Sequence, residues 1–395
     1  MKYKLAQLYD IDIEVIDGDR GKNYPHKDEL LETGYCLFLS AKNVTQSGFS
    51  FSDNQFIAKE KDQLLNKGKL NRGDIVITTR GTVGNVALYS DDIPYENVRI
   101  NSGMLIVRCG ESIDNFYLYQ VMRSKWFYNQ LLSIQSGSAQ PQLPKSHFLQ
   151  MNIPLPDIET QKRIANILLS INEKIVVNTA INKNLEQQVQ MIYKNLLQNC
   201  ESFCELGSVV ETTSGGTPSR KKKEYYQNGE ICWIKSKELH GTYIVETEEK
   251  ITEKGLSFSS AKILPSKSVL IAMYGATVGE YGIISKPMTC NQAICALIPN
   301  ENYPYSFLYV FAKTNKQNLI NLAVGSAQQN ISQELIKQIP ICSDIGSIKK
   351  FHSLVNPIFL QIELLVKENK HLSDIRDNLI PKLMNGEIDV SDVKI

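Results

Sequence analysis

The sequence predicts an α+β protein built twice: two similar mixed, strand-rich domains separated by two long helices that pair as an antiparallel coiled coil, related by a pseudo-two-fold. Three observations predict this. The first is repetition. Arg80-Gly81-Thr82-Val83-Gly84-Asn85 returns about 190 residues later as Tyr274-Gly275-Ala276-Thr277-Val278-Gly279-Glu280. Gly137-Ser138-Ala139-Gln140 returns as Gly325-Ser326-Ala327-Gln328, and Asn152-Ile153-Pro154-Leu155 as Gln338-Ile339-Pro340-Ile341. Solenoid units run to roughly 20–50 residues, so a period this long means a duplicated domain and helix. The second is a heptad seam after each copy, and the third is a set of short apolar runs punctuated by glycine.

The boundaries read as a first domain over 1–156, a central helical region over 157–199, a second domain over 200–342 and a C-terminal helical region over 343–395. In the first domain, Gly73-Asp74 introduces the apolar run Ile75-Val76-Ile77, and Gly81 and Gly84 punctuate the turn to Val86-Ala87-Leu88-Tyr89, so these read as paired strands. Met104-Leu105-Ile106-Val107 is another buried strand, and Phe116 to Leu132 reads as helix. In the second domain Cys232-Trp233-Ile234-Lys235-Ser236-Lys237 matches Leu37-Phe38-Leu39-Ser40-Ala41-Lys42, and Thr289-Cys290-Asn291-Gln292-Ala293-Ile294 matches Arg99-Ile100-Asn101-Ser102-Gly103-Met104. Ser326, Asn330 or Ser332 can cap a short helix at Gln333 to Lys337.

Ile164, Leu168, Ile171, Ile175, Asn178, Asn182, Leu185, Val189, Ile192 and Leu196 alternate by four and three. That is a coiled-coil seam on a helix of about 38 residues, or about 57 Å. Ile348, Phe351, Val355, Ile358, Ile362, Leu365, Asn369, Leu372 and Leu379 form the second seam, which Pro357 should kink or delay. The polar Asn178, Asn182 and Asn369 would weaken the pairing while specifying register.

Composition excludes several classes. With 42% hydrophobic and 22% charged residues, 395 residues are ordinary for two globular domains. Met1-Lys2-Tyr3-Lys4 leads into no apolar secretory segment, and no run is expected to span a bilayer, so a cytoplasmic protein without membrane contact is expected. There the eight cysteines should remain reduced, and neither they nor the five histidines have zinc spacing. A net charge of +1 argues against binding nucleic acid by bulk charge alone.

Catalytic motifs are missing. There is no GxxxxGK[ST], GxSxG or HExxH. Asp92-Ile93-Pro94-Tyr95 lacks the proline and the glycine-rich loop of an amino-methyltransferase, and reads as a turn. Glu248-Glu249-Lys250 is either the tail of a nuclease motif or a charged loop. What remains are polar loops at corresponding places: Asp17-Gly18-Asp19-Arg20-Gly21-Lys22 in one copy, Ser214-Gly215-Gly216-Thr217-Pro218-Ser219-Arg220-Lys221-Lys222-Lys223 in the other. Such loops suit phosphates and base edges, or are simply solvated. Gln140 and Gln328 suit either adenine or a structural turn.

At this point the chain resembles the specificity subunit of a Type I restriction–modification system over nearly its whole length. The motifs carrying the resemblance are Ile153-Pro154-Leu155-Pro156 with Glu159-Thr160-Gln161-Lys162-Arg163-Ile164-Ala165, Leu379-Ile380-Pro381-Lys382-Leu383-Met384-Asn385-Gly386-Glu387-Ile388, and Gly215-Gly216-Thr217-Pro218-Ser219 with Trp233-Ile234-Lys235. The second helical region departs from it, starting Cys342-Ser343-Asp344-Ile345 without Pro-Leu-Pro. The resemblance implies a non-catalytic reader of double-stranded DNA, whose two target-recognition domains each take one half of an asymmetric bipartite site while the helices set the spacer. It implies two adenine methyltransferase subunits docked along the helices and motor-nuclease restriction subunits beyond. S-adenosylmethionine, ATP and Mg2+ would belong to those partners and no cofactor to this chain. On this reading the DNA-binding candidates are Arg20, Lys22, Lys42, Arg80, Thr82, Gln140, Arg220, Lys221, Lys222, Lys235, Lys237, Tyr274 and Gln328. A duplicated nuclease or methyltransferase is the alternative, and a coiled-coil interaction protein that does not touch DNA is a third.

Overall fold

The computed structural model describes residues 2–134, 142–198, 200–323 and 330–393. Contacts divide the chain into two compact units, Met1–Glu173 with Ser373–Ile395, and Lys174–Leu372. Each unit therefore contains one strand-rich domain and a stretch of both long helices, Ile158–Gln198 and Ile345–Met384.

In the first unit an antiparallel four-stranded sheet runs in the order Ile13–Asp17, Met104–Cys109, Ile75–Thr78, Val86–Leu88. A smaller sheet places Cys36–Leu39 between Phe56–Ile57 and, in parallel, Val98–Ile100. The second unit repeats the plan. Glu211–Ser214, Ile294–Ile298, Val269–Ala272 and Tyr281–Ile284 follow the same order, with Tyr243–Ile244 added in parallel at the edge. Ile231–Ile234 again sits between an antiparallel strand, Glu249–Ile251, and a parallel one, Thr289–Cys290. The block matches hold at bond level: the Asn101 N–H donates to Leu39 O at 3.0 Å, and the Asn291 N–H to Ile234 O at 2.9 Å.

Each larger sheet packs one face on a helical layer and the other on the smaller sheet, so both faces of the strands Ile75–Thr78 and Val269–Ala272 are buried. That burial explains their continuous apolar runs. In the first unit Tyr117, Leu118, Val121 and Phe127 pack with Ile164, Leu168 and Leu383. In the second, Phe307, Tyr309 and Phe311 pack with Val189, Tyr193, Phe351, Phe359 and Ile362. Each such side chain contributes roughly 1.5–3 kcal/mol on leaving water. The expected helix from Phe116 is two helices, Asn115–Arg123 and Lys125–Ile134. Ser124 ends the first and caps the second, its hydroxyl donating to Val121 O at 2.6 Å and accepting from the Phe127 N–H at 3.2 Å. Its counterpart, Tyr305–Leu322, is continuous.

The long helices run antiparallel. Within the second unit Asn178 meets Asn369, and fifteen residues further along Tyr193 meets Phe351 at a centroid distance of 5.6 Å. Seam residues Ile164, Leu168, Val189, Ile362 and Leu365 are buried, while Ile171, Ile175, Leu185, Ile192 and Leu372 are half-buried. Asn178 is fully buried and donates to Asn369 Oδ1 and Glu368 Oε2, both at 2.9 Å. In the first unit Arg376 reaches Asn172 at 3.0 Å. Both helices open on the same cap: Asp157 Oδ1 accepts from the Thr160 N–H at 2.9 Å, and Asp344 Oδ1 from the Ser347 N–H at 3.2 Å. The departure from Pro-Leu-Pro thus leaves the first turn intact.

Three expectations are corrected. The second helix does not begin near Pro357 but runs unbroken from Ile345 to Met384, with Pro357 exposed. The first helix does contain an 18-residue window of mean hydropathy 1.3, long and apolar enough to cross a membrane, of which 22% is buried. Its seam supplies one apolar face and the exposed Val176, Val177 and Ile181 supply more, so the hydropathy sums over several faces. Finally, Cys200 and Cys342 form a disulfide with a Cα–Cα distance of 6.3 Å. The pairing of Phe203–Glu205 with Pro340–Cys342 brings the two cysteines together across 142 residues. Spacing rules for nearby cysteines cannot see that contact.

Candidate nucleic-acid interface

In each domain the glycine-rich loop meets the chain returning from the Gly-Ser-Ala-Gln segment. The Thr79 N–H donates to Gly103 O at 2.7 Å, and the Leu143 N–H to Thr79 O at 3.0 Å. Equivalent bonds in the second domain run from the Met273 N–H to Ala293 O at 2.8 Å and from the Ile331 N–H to Met273 O at 2.9 Å. Arg80 and Tyr274 therefore occupy one structural position, and both are exposed. Gln140 and Gln328 lie outside the described residues. Gly84 and Gly279 have φ of +93° and +79°. A Cβ on Gly84 would lie 3.0 Å from Leu131, and one on Gly279 3.0 Å from Lys316 O. These glycines let the loop turn against a helix and so aim the residue at 80 or 274 outward.

Around Arg80 the first domain forms a polar cleft of about 240 Å³ with Arg20, Gln142, Lys145 and Asp17 on its walls. Arg20 is held loosely, 3.4 Å from Asp17 and 3.3 Å from Ser102 O. Lys145 donates to Val15 O at 2.6 Å. Lys22 and Thr82 are exposed, and the Thr82 carbonyl accepts from the Thr78 hydroxyl. Lys42 pairs with Asp53 at 3.1 Å on the open surface, where such a pair contributes little.

The second domain gathers its candidates differently. Arg220, Lys235 and Lys237 converge on two carboxylates: Lys235 lies 2.8 Å from both Glu248 and Glu249, Lys237 2.7 Å from Glu248, and Arg220 is paired with Glu249. The hydrogen bonds from Arg220 and then Lys235 pull the Glu249 carboxyl down to about 2. Arg220 also lies over the rings of Tyr226 and Trp233, at 4.4 and 4.9 Å. The Glu248-Glu249-Lys250 segment is thus engaged by cations, and among the described residues no cluster of three His, Cys, Asp or Glu could hold a metal. Lys222 donates to the Tyr225 hydroxyl at 3.0 Å, while Lys221 is exposed.

The Gly-Gly-Thr-Pro motif and its tryptophan belong together. The Trp233 indole N–H donates to Gly216 O at 2.9 Å, and a Cβ on Gly215 would lie 2.0 Å from Cys290 O. The motif therefore holds the loop onto the small sheet. Thr217 then bonds Gln292, an exposed residue that sequence reasoning passed over. Its signal was weak, since Gln292 faces Ser102 in blocks whose one identical pair is Asn101 with Asn291. Gln142 and Lys145 carried no such signal.

Two other motifs are anchors. Gln161, 1% exposed, accepts from the Asp114 N–H at 3.0 Å and donates to Pro156 O at 3.0 Å and Ser112 O at 3.3 Å. Gly386, at φ +75°, ends the second helix against Lys2, whose N–H donates to Asn385 O at 2.7 Å. Glycine in the left-handed region is the usual way a helix stops.

The family model for the Type I restriction modification DNA specificity domain matches residues 2–187 and again 201–342. The HindI specificity subunit of Haemophilus influenzae is 23% identical, over 94% of this chain and 98% of its own length. The MjaIX specificity subunit of Methanocaldococcus jannaschii is 24% identical, over 82% and 79%. Among solved structures, the S subunit of the Type I restriction–modification system from M. genitalium covers 97% of this chain and 96% of its own at a TM-score of 0.58 and 15% identity, a likeness of fold. With two matched domains carrying one topology twice, this chain belongs to the family of Type I restriction–modification specificity subunits.

Proposed function

We propose that this chain is a non-catalytic DNA reader in which each recognition domain reads one half of an asymmetric bipartite site. The long helices set the spacer and dock two adenine methyltransferase subunits, with motor-nuclease restriction subunits beyond. S-adenosylmethionine, ATP and Mg2+ are taken up by those partners, and the complex works in the cytoplasm. One observation carries the reading: equivalent scaffold positions hold different chemistry. Arg80 stands where the second domain has Tyr274, Ser102 where it has Gln292, and the Asp17-to-Arg20 loop, held by backbone N–H groups on Asp19, where it has the Ser214-to-Arg220 loop, held by Gln292 and Glu249. Equal frames with unequal loops suit two different half-sites, because phosphate contacts position while base contacts specify. Near-neutral net charge fits a reader whose partners supply phosphate contacts. The test is binding by the complex with its methylation subunits, with specific duplex competed by random duplex. Preference for the specific duplex supports the reading; equal competition ends it.

A further inference from the structure

The turn leading into Val269–Ala272 holds Lys267 at φ +69°, a region that residues with side chains avoid. The first domain makes the same turn. There the Asp74 N–H donates to Asn71 O at 3.0 Å and the Gly73 N–H to Tyr89 O at 2.9 Å. In the second domain the Ser268 N–H donates to Pro265 O at 3.2 Å and the Lys267 N–H to Ile284 O at 2.8 Å. Lys267 thus occupies the position of Gly73, whose φ is +89°. A lysine stands where the backbone favours glycine, so its side chain has to offset the strain.

Its surroundings do so. The ammonium is paired with Glu363 of the second long helix and lies 3.4 Å from the Tyr243 hydroxyl. It also sits over the rings of Tyr243 and Tyr305, at 4.8 and 4.9 Å. The lysine side chain is 22% exposed and that of Glu363 only 9%, with Lys367 on its other oxygen at 2.8 Å. Strand, domain helix and long helix meet at this one cation. Much of the remaining contact between this domain and its helices is apolar, through Phe307, Phe311, Phe351 and Phe359, and apolar burial is non-directional. Lys313 of the domain helix also pairs with Glu186 of the first long helix, at 2.6 Å. Hydrogen bonds from Tyr305 to Asn356 at 2.6 Å and between Ser306 and His352 at 2.8 Å hold the domain helix, not the sheet. The first domain instead has Gln161 as its buried polar tie, and the matching position after the second cap is Ile348.

We propose that Lys267 is a positioning residue that fixes the second recognition domain on its helix pair, and through it the spacing at which the second half-site is accepted. A partly buried ion pair between aromatic walls restricts orientation in a way that apolar packing does not. The proposal rests on the bipartite reading above. The perturbation is Lys267→Gly, which suits the backbone and removes the ammonium, beside Glu363→Gln, which removes the partner's charge and keeps the strain.

The complex of the full chain with its methylation subunits is titrated with duplexes carrying its own methylated site, with the spacer native or changed by one base pair. One base pair turns a half-site by about a tenth of a helical turn. Wild-type complex should reject the altered spacers. Both variants should lose about tenfold of that rejection, the scale of one lost directional contact, while base substitutions in either half-site are penalised as before. Melting should separate the two variants, Lys267→Gly holding or gaining stability and Glu363→Gln losing it, so a purely structural role cannot produce the shared spacing defect. Unchanged spacer rejection in Lys267→Gly overturns the proposal. Indifference of the wild-type complex to spacer length would instead overturn the bipartite reading, and the inference with it.

Discussion

Replacing Gln161 with alanine removes three hydrogen bonds from a side chain that is 1% exposed, and strands the Asp114 N–H with two carbonyls. A buried donor left unpaired costs about 1–3 kcal/mol, and the emptied volume adds to this, so the first unit should lose about 2–4 kcal/mol. Lys162→Ala, one residue on and half-exposed beside Glu159 at 3.6 Å, should change stability by less than about 0.5 kcal/mol. Two units do not guarantee one transition, so a local probe is needed. The sequence supplies it: of two tryptophans, Trp126 packs against the first core and Trp233 lies in the second unit. Urea titration followed by Trp126 fluorescence in a Trp233→Phe background reads the first unit alone. Gln161→Glu adds a pH signature. Its second oxygen would face the Ser112 and Pro156 carbonyls, so burial and repulsion raise its folded pKa. Stability is then retained below the ordinary carboxylate range near about 4.3 and lost as pH rises above it. A Gln161→Ala protein as stable as Lys162→Ala would refute the argument.

Acid sensitivity is expected in the second unit. Glu249, lowered from 4.5 to about 2, contributes stability that is present above pH 4.5 and lost as pH falls toward 2. Glu249→Gln should flatten that limb of a Trp233-monitored pH titration, modestly because the side chain is a third exposed, and an unaltered limb would count against the network. Reducing the Cys200–Cys342 disulfide opens a loop of 142 residues and should lower the second unit's stability by at most about 5 kcal/mol. Urea midpoints with and without dithiothreitol measure this, and coincident midpoints would contradict it.

The duplication made much of the fold legible. Matched blocks aligned Leu39 with Ile234 and Asn101 with Asn291, and the paired bonds between them show that identical order meant identical register. The seams were legible because burial recurs at every third or fourth residue, and Asn178 against Asn369 shows why polar residues interrupt them. Long-range partners were not legible. Arg220 meets Glu249 and Lys267 meets Glu363 only after folding, since their separations follow no period. The same is true of Cys200 and Cys342. The helix break at Ser124 was hidden for another reason: its apolar residues continue helical spacing on both sides. At the candidate interface the sequence located the loops, while the structure distinguished exposed Arg80 and Tyr274 from Lys235, which is already paired.

The central claim is that one frame carries two independent readers. Exchanging residues 201–342 for the corresponding domain of another specificity subunit, then sequencing the methylated motif made by the assembled complex, tests it most directly. The account predicts that one half of the motif changes while the other half is kept. A change in both halves, or in neither, would contradict it.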